Sequence, residues 1–174
     1  MSPLASIRLS ADGSLRKSDS VFRYTQGVVI ANDGDGVSAI RVLVVEDFIP
    51  FRQYIASKLA KGDNLHVICE VSDGLEAVNQ AAALQPDLIL LDIGLPTLSG
   101  IEAARQIRKL SPESKILFVT QECDAAIVHE AFALGAMGYV LKGNAGSDLS
   151  AGIEAVCKGG RFVSSGLSDQ YCSC

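Results

Sequence analysis

The stretch DLILLDIGLP at residues 87–96 decides the fold of this chain. It is a continuous apolar run that ends on an acidic residue, Asp92, and then turns through a glycine and a proline. A short run that is apolar on both faces is typical of a strand buried in the middle of a sheet. Three further apolar runs stop on polar side chains in the same way: RVLVVED at 41–47, KILFVT at 115–120 and GYVLK at 138–142. We therefore predict parallel strands that deliver polar side chains to one edge of a sheet.

Helical patterns separate these runs. From Arg41 onward, strand and helix alternate five times, with strands predicted at 41–45, 65–71, 88–91, 115–119 and 139–141. Asp73 and Ser99 each precede a helical pattern and have a glutamate three residues further on, which is the spacing of a helix N-terminus. The second helix is expected to bury Leu75, Val78 and Ala82. Alternating units of this kind predict an α/β fold with a doubly wound parallel sheet.

The two ends of the chain differ from this alternating part. Residues 1–40 form an N-terminal extension, rich in Ser, Asp and Gly, that is either partly disordered or adds one extra strand within VFRYTQGVVIA at 21–31. The NDGDG that follows at 32–36 predicts a turn rather than a calcium loop, because the distal glutamate of such a loop is missing. We assign residues 41–160 to the main domain and residues 161–174 to a linker or tail.

Charge and composition restrict the function. The 174 residues carry a net charge of −5 and are 48% hydrophobic, and the whole excess of acidic residues follows residue 40. An acidic body argues against direct DNA binding by this chain. Because no apolar run approaches the length of a membrane span and no signal peptide is visible, we expect a cytoplasmic protein without membrane contact.

The five cysteines predict no disulfide framework, since they are odd in number and scattered. Three of them, Cys69, Cys123 and Cys157, are expected to pack as small apolar groups. Cys172 and Cys174 form a C-x-C pair, which we expect to lie in a frayed terminus rather than to bind a metal.

The side chains that follow the apolar runs suggest a chemistry: Glu46, Asp47, Asp92, Thr120 and Lys142. Each of them alone is more often a helix cap, a solvated charge or a structural hydroxyl. Because all five are expected to lie at one edge of the sheet, we instead predict a site for a divalent cation and a phosphoryl group. Carboxylates bind hard cations such as Mg²⁺, and a hydroxyl and an ammonium can stabilise phosphoryl oxygens.

Residues 41–160 resemble the response regulator receiver domains of two-component signalling. The run from Asp92 through GYVLK, followed by GGRFVSSGLSD, resembles the NarL/FixJ-type transcription regulators most. The resemblance implies a five-stranded, flavodoxin/CheY-like sheet ordered 2-1-3-4-5, with helices on both faces. It identifies Asp92 as the phosphoacceptor, which would receive a phosphoryl group from a sensor histidine kinase or a phosphotransfer protein.

The same resemblance assigns the remaining roles. Mg²⁺ would be held by Glu46, Asp47, Asp92 and the backbone carbonyl of Gly94. Thr120 and Lys142 would bind phosphoryl oxygens. Thr120 and Tyr139 would form the switch that alters a protein-interaction surface near the fourth helix and the fifth strand. A phosphorylation-dependent homodimer is a further expectation.

Three of the places where this sequence departs from the family pattern bear on its function. Gln121 follows Thr120 where the family has a small residue, and its bulk would narrow access to the phosphate. Gly94 leaves the phosphate open to water on its own side. No stretch after Leu167 is long enough for the helix-turn-helix domain of NarL/FixJ-type proteins, so we expect regulation of transcription through a missing or separate output domain.

Other functions stay in consideration. A haloacid-dehalogenase-type phosphohydrolase would need an aspartate where Gly94 stands, so we expect no enzyme activity beyond the chain's own phosphorylation and dephosphorylation. A nucleotide-binding flavodoxin-like module would need a glycine-rich loop after the first strand, whereas EDFIPF is acidic and has no glycine. A degenerate receiver that acts as a phosphorylation-independent scaffold is favoured mildly by Gln121 and disfavoured by the complete acidic set.

Overall fold

The computed structural model describes residues 39–62 and 64–167, together with the segments 8–9, 15–17, 20–25 and 28–32. The chain divides into two compact units, Met1–Ser38 and Ala39–Cys174. The candidate C-x-C pair at Cys172 and Cys174 lies outside the described residues.

The described segments of the first unit form an antiparallel sheet. Its strands are β1 (Arg8–Leu9), β2 (Leu15–Lys17), β3 (Ser20–Thr25) and β4 (Val28–Asn32), in the order β1-β2-β3-β4. The stretch 21–31, which the sequence analysis treats as one extra strand, is divided between β3 and β4, which pair with each other. Most of the turn predicted at 32–36 lies outside the described residues.

The second unit is a parallel sheet flanked by helices. Its described strands are β5 (Ile40–Val45), β6 (Leu65–Val71), β7 (Leu88–Leu91), β8 (Lys115–Thr120), β9 (Gly138–Leu141) and β10 (Phe162–Val163). Its helices are α1 (Ile49–Leu59), α2 (Gly74–Leu84), α3 (Gly100–Leu110), α4 (Ala125–Ala133) and α5 (Ala145–Cys157), and a 3₁₀ turn spans Lys142–Asn144. The strand order is β6-β5-β7-β8-β9-β10, so the first five strands follow the expected 2-1-3-4-5 arrangement.

The expectation of five strands is wrong, because β10 adds a sixth at the edge. Phe162 and Val163 pair in parallel with Gly138 and Tyr139 of β9. The amide of Ser164 continues this ladder and donates to the carbonyl of Tyr139 at 2.8 Å. The strand lies in the stretch 161–174, which the sequence analysis assigns to a linker or tail. A strand of two residues has too little pattern to be recognised before its pairing partner is known.

Alternate residues of the central strands supply two cores, one on each face of the sheet. Leu43 and Val45 of β5 belong to the core covered by α2, α3 and α4, and Val42 and Val44 belong to the core covered by α1 and α5. All four side chains are 0–1% exposed. Helices on both faces explain why β5 is apolar at every position from Val42 to Val45.

Helices α2 and α3 begin where their capping residues predict. The Asp73 carboxylate accepts hydrogen bonds from the first turn of α2, and the Ser99 hydroxyl accepts one from the amide of Glu102. Every described helix is too short or too polar to serve as a membrane span.

Three burial predictions are wrong. Leu75 is 48% exposed and Ala82 is also exposed, whereas α2 buries Gly74, Ala77, Val78 and Ala81. A Cβ at Gly74 would lie 1.9 Å from the carbonyl oxygen of Leu98, so this close approach selects small residues for the inner face. Of the three described cysteines, Cys69 and Cys157 are partly buried, but Cys123 is exposed, contrary to the expected packing.

Candidate functional site

The carboxyl ends of four adjacent strands carry the polar residues singled out in the sequence. Glu46 follows β5, Asp92 follows β7, Thr120 ends β8, and Lys142 follows β9. Because these strands are parallel neighbours, their ends meet at one edge. Glu46, Asp92 and Thr120 are 1%, 5% and 1% exposed, so these polar groups are withdrawn from water and need partners inside the protein.

An ion-pair network joins three of these side chains. The Nζ atom of Lys142 lies 2.8 Å from Oδ2 of Asp92 and 2.7 Å from Oε2 of Glu46. Its hydrogen bonds go to Asp92 Oδ2 and Glu46 Oε1, both at 2.8 Å. The ammonium therefore bridges two carboxylates that would otherwise repel each other.

Backbone groups fix the two buried carboxylates. The Asp92 Oδ1 atom accepts from the amides of Ile93 at 2.7 Å and Gly94 at 3.3 Å. Glu46 Oε1 also accepts from the amide of Phe48 at 3.1 Å. These bonds hold one Asp92 oxygen on the loop and leave the other, Oδ2, directed at Lys142.

A third carboxylate, that of Asp47, completes an acidic cluster with Asp92 and Glu46. Ligand oxygens of Glu46, Asp47 and Asp92 lie within 4.8 Å of one another, and the Asp47 side is exposed to solvent. Within the described part of the chain, Oε2 of Glu46 is buried and accepts no hydrogen bond, although the ammonium is near. Three clustered carboxylate oxygens, one with a free lone pair, fit a hard cation such as Mg²⁺.

Burial and charge pull the pKa values of this site in opposite directions. Burial raises the pKa of Glu46, although its hydrogen bond and charge interaction with Lys142 oppose the rise. Burial lowers the pKa of Lys142, but the hydrogen bonds and charges of Asp92 and Glu46 outweigh it, and the net pKa is raised. The ammonium therefore stays charged at neutral pH.

The loop after β7 is shaped by a glycine that sequence reasoning did not single out. The amide of Gly100 donates to the carbonyl of Ile93 at 2.9 Å. A Cβ at Gly100 would lie 1.9 Å from the backbone carbonyl oxygen of Asp92. Only a residue without a side chain allows α3 to start so close to the loop that carries Asp92.

Thr120 and Tyr139 connect the site to the loop between β8 and α4. The Thr120 hydroxyl accepts from the amide of Glu122 at 3.3 Å, and the Tyr139 hydroxyl donates to the carbonyl of Glu122 at 3.0 Å. Tyr139 is fully buried, and its ring centroid lies 6.0 Å from that of Phe118. Both side chains thus form hydrogen bonds with Glu122, which lies in an exposed loop.

A cleft of about 540 Å³ opens beside the network. It is lined by Phe48, Phe51, Gln121, Cys123, Leu141, Lys142, Gly143 and Asn144. Gln121 reaches this cleft, as its position after Thr120 suggests. The sequence did not predict a role at this site for the aromatic residues of α1, because nothing in their spacing reveals that Phe51 faces Lys142.

The structure thus brings Glu46, Asp47, Asp92 and Lys142 into one cluster. Thr120 lies buried at the adjacent strand end, and Gly94 lies in the loop directly after Asp92. The use of the Gly94 carbonyl as a metal ligand stays a prediction.

Comparison with known proteins gives the family. The response regulator receiver domain model matches residues 42–154. The transcriptional regulatory protein LiaR of Bacillus subtilis strain 168 is 36% identical over 120 residues, which are 69% of this chain and 57% of LiaR. The response regulator GacA of Pseudomonas viridiflava is 33% identical over 131 residues, which are 75% of this chain and 61% of GacA.

One solved structure is matched over a larger share of its own length than LiaR or GacA. The crystal structure of a LuxR-family two-component response regulator from Aurantimonas sp. SI85-9A1 gives a TM-score of 0.73 at 30% identity, covering 78% of this chain and 96% of that chain. This chain spans about three fifths of the length of the curated relatives. The fold is CheY-like, and the resemblance to receiver domains stated from the sequence is confirmed. The chain belongs to the response regulator receiver domain family.

Proposed function

We propose that Asp92 accepts a phosphoryl group from the phosphohistidine of a sensor histidine kinase or phosphotransfer protein. A carboxylate oxygen attacks phosphorus, the bond between phosphorus and the histidine nitrogen breaks, and an aspartyl phosphate forms. The observation that carries the proposal is the asymmetric environment of Asp92. The amides of Ile93 and Gly94 hold Oδ1, while Oδ2 lies 2.8 Å from the Lys142 ammonium.

Glu46, Asp47 and Asp92 would hold Mg²⁺, with the Gly94 carbonyl as a further ligand. Bound Mg²⁺ supplies positive charge that offsets the repulsion between the carboxylates and the phosphoryl oxygens. The Lys142 ammonium now pairs with Asp92, and it lies close enough to pair with a phosphoryl oxygen once that oxygen carries the negative charge. Thr120 would donate its hydroxyl hydrogen to another phosphoryl oxygen.

The proposed output is a change of surface around α4, β9 and α5. A hydroxyl that turns toward the phosphate pulls on the loop that begins at Gln121. That loop is tied to Tyr139 through the carbonyl of Glu122. Phosphorylation would therefore alter docking or self-association on this face, and through it regulate transcription.

The reaction is proposed to be confined to the chain's own phosphorylation and dephosphorylation. A phosphorylation-independent scaffold is the second candidate, favoured by one observation: Gln121 lines the cleft beside Lys142. A glutamine there narrows access to the phosphoryl position. Stable partner binding by Asp92→Asn at wild-type affinity, with no labelling of the wild type, would support this alternative.

The test is labelling with acetyl phosphate and Mg²⁺, followed by intact-mass and peptide mass spectrometry. Wild type should gain one phosphoryl group at Asp92, and Asp92→Asn should gain none. Asp47→Ala should lose labelling across a magnesium titration without unfolding, because its carboxylate is exposed. Asp87→Asn is the matched control, since Asp87 is an exposed aspartate at the opposite end of the same strand. Equal labelling of the Asp92→Asn protein would contradict the proposal.

The output is tested with beryllofluoride, which stands in for the phosphoryl group. At saturation, light scattering or amide exchange around Gln121–Lys142 should change. Identical association and identical exchange in both forms would show that the domain does not switch.

A further inference from the structure

The Lys142 ammonium has an aromatic neighbour that the proposed phosphotransfer chemistry does not use. Its Nζ atom lies 5.0 Å from the ring centroid of Phe51, in the first turns of α1. Carboxylates of Glu46 and Asp92 take its hydrogen bonds on another side. A cation at this distance over a ring face is attracted by the negative potential of the ring.

Phe51 is itself held by a row of contacts along α1. Its ring stacks on Tyr54 with centroids 5.6 Å apart and an interplanar angle of 27°. The Lys58 ammonium lies 5.5 Å from the Tyr54 centroid and donates to the carbonyl of Gly146 at 3.4 Å. One face of α1 therefore contacts both Lys142, where the 3₁₀ turn begins, and the first turn of α5, which follows that turn directly.

The position of the Lys142 ammonium needs such support. A lysine has a flexible four-carbon stem and a strongly hydrated head, so carboxylate contacts alone do not fix where the head goes. Glu46 and Asp92 also compete for it, because both lie within 3 Å of Nζ. When charge moves from Asp92 to a phosphoryl oxygen, the ammonium must follow without being drawn back to Glu46 or out to water.

We infer that Phe51 is a positioning residue for Lys142, its ring face keeping the ammonium beside Asp92 through phosphoryl transfer. This inference rests on the proposed function. A ring face attracts a cation over a broad area without a directed hydrogen bond, so Lys142 can shift toward the phosphoryl oxygen while it keeps the contact. The ring also lines the cleft beside Lys142, where it excludes water from one side of the ammonium.

Apolar packing alone would not require an aromatic residue here. Phe51 is only partly buried and packs at the margin of the core beneath α1 and α5. Leucine would fill much of the same apolar contact but would offer no ring face. The quantity to test is therefore the electrostatic potential of the ring face, not the volume of the side chain.

The experiment replaces Phe51 site-specifically with phenylalanines that carry one, two and three fluorines on the ring. Added fluorines reduce the negative potential of the ring face with little change in size. The rate of labelling by acetyl phosphate and the beryllofluoride affinity should fall stepwise, by about three- to tenfold across the series. Phe51→Leu should match the last member, and Phe51→Tyr should restore nearly wild-type values. The same series at Phe132, a partly buried phenylalanine in α4 on the other side of the sheet, is the control and should have no effect.

A second readout needs neither metal nor phosphoryl donor. In EDTA, the ε-methylene protons of Lys142 should be shifted upfield by the ring current of Phe51. The shift should vanish in Phe51→Leu and persist in Phe51→Tyr, while the thermal midpoint of the fluorinated proteins stays unchanged.

The outcomes separate the two claims. A labelled wild type with a flat or rising fluorine series overturns the role of Phe51 and leaves the proposed function intact. A wild type that is not labelled refutes the proposed function and this inference with it. A stepwise fall that appears equally in the Phe132 series reflects general destabilisation and also overturns the inference.

Discussion

Replacing Lys142 with methionine should destabilise the folded protein when no metal is bound. Methionine keeps most of the length of the side chain but removes the charge. The side chains of Glu46 and Asp92 are 1% and 6% exposed and would face each other without the ammonium that now bridges them. Breaking a buried ion pair by removing one partner costs about 3–5 kcal/mol.

The magnitude expected here is somewhat smaller. Asp47 and one side of the cluster are open to solvent, so counter-ions and water can partly compensate. We expect a loss of about 2–4 kcal/mol in the free energy of unfolding. With a urea slope of about 2 kcal/mol per molar, this corresponds to a midpoint lower by about 1–2 M.

The assay is urea unfolding in EDTA, followed by circular dichroism. In the double variant Lys142→Met/Asp92→Asn, about half of the lost stability should return, because only one buried carboxylate then lacks a partner. Adding Mg²⁺ should narrow the gap between wild type and Lys142→Met, because the carboxylates of Glu46 and Asp92, no longer paired with an ammonium, bind the ion more tightly in the variant and the folded variant gains more by mass action.

Lys158→Met is the matched control. Lys158 pairs with Glu154, but their side chains are 73% and 67% exposed, so its removal should hardly move the midpoint. Equal midpoints for Lys142→Met and Lys158→Met in EDTA would refute the claim that Lys142 offsets repulsion between buried carboxylates.

Two further predictions concern the close approach of Gly100 to the Asp92 backbone and the segment after α5. Gly100→Ala should cost about 1–3 kcal/mol and slow labelling at Asp92, because its Cβ would collide with the Asp92 carbonyl, whereas Gly146→Ala, with open space around it, should do neither in the same unfolding and labelling assays. Asp148→Ala should cost about 1–3 kcal/mol at pH 7, since it leaves the buried Ser164 hydroxyl without its acceptor. Burial raises the pKa of Asp148, but hydrogen bonds from Ser164, Ser147 and Ser165 outweigh it and lower the net pKa, so this stability is present above about pH 4 and is lost as the pH falls further. A difference from wild type that stays constant from pH 7 to pH 3 in urea titrations would contradict this account.

Much of the fold could be predicted because its signals are local. The central strands are apolar on both faces, and the capping side chains Asp73 and Ser99 mark their helices directly. The convergence of Glu46, Asp92 and Lys142 also followed from the sequence, since parallel strands must end at a common edge. These predictions need only the order of strands and helices, not their detailed packing.

The remaining features depend on contacts between distant residues. The exposure of Leu75 was not predictable from periodicity, because the approach of Gly74 to Leu98 decides which face of α2 turns inward. The two residues of β10 become a strand only by pairing with β9. The contact between Phe51 and Lys142 joins residues far apart in sequence, so no local pattern could indicate it.

The segment after α5 is connected to the same strand that carries the proposed switch. Val163 pairs with Tyr139, and the Ser164 amide donates to the carbonyl of that tyrosine. Leu167 is 3% exposed and packs in the same core as Tyr139. Asp148 of α5 binds Ser164 and the Ser165 amide, so the segment is held from both sides. A displacement of the Tyr139 backbone would therefore either move this segment with it or break the pairing of β9 with β10.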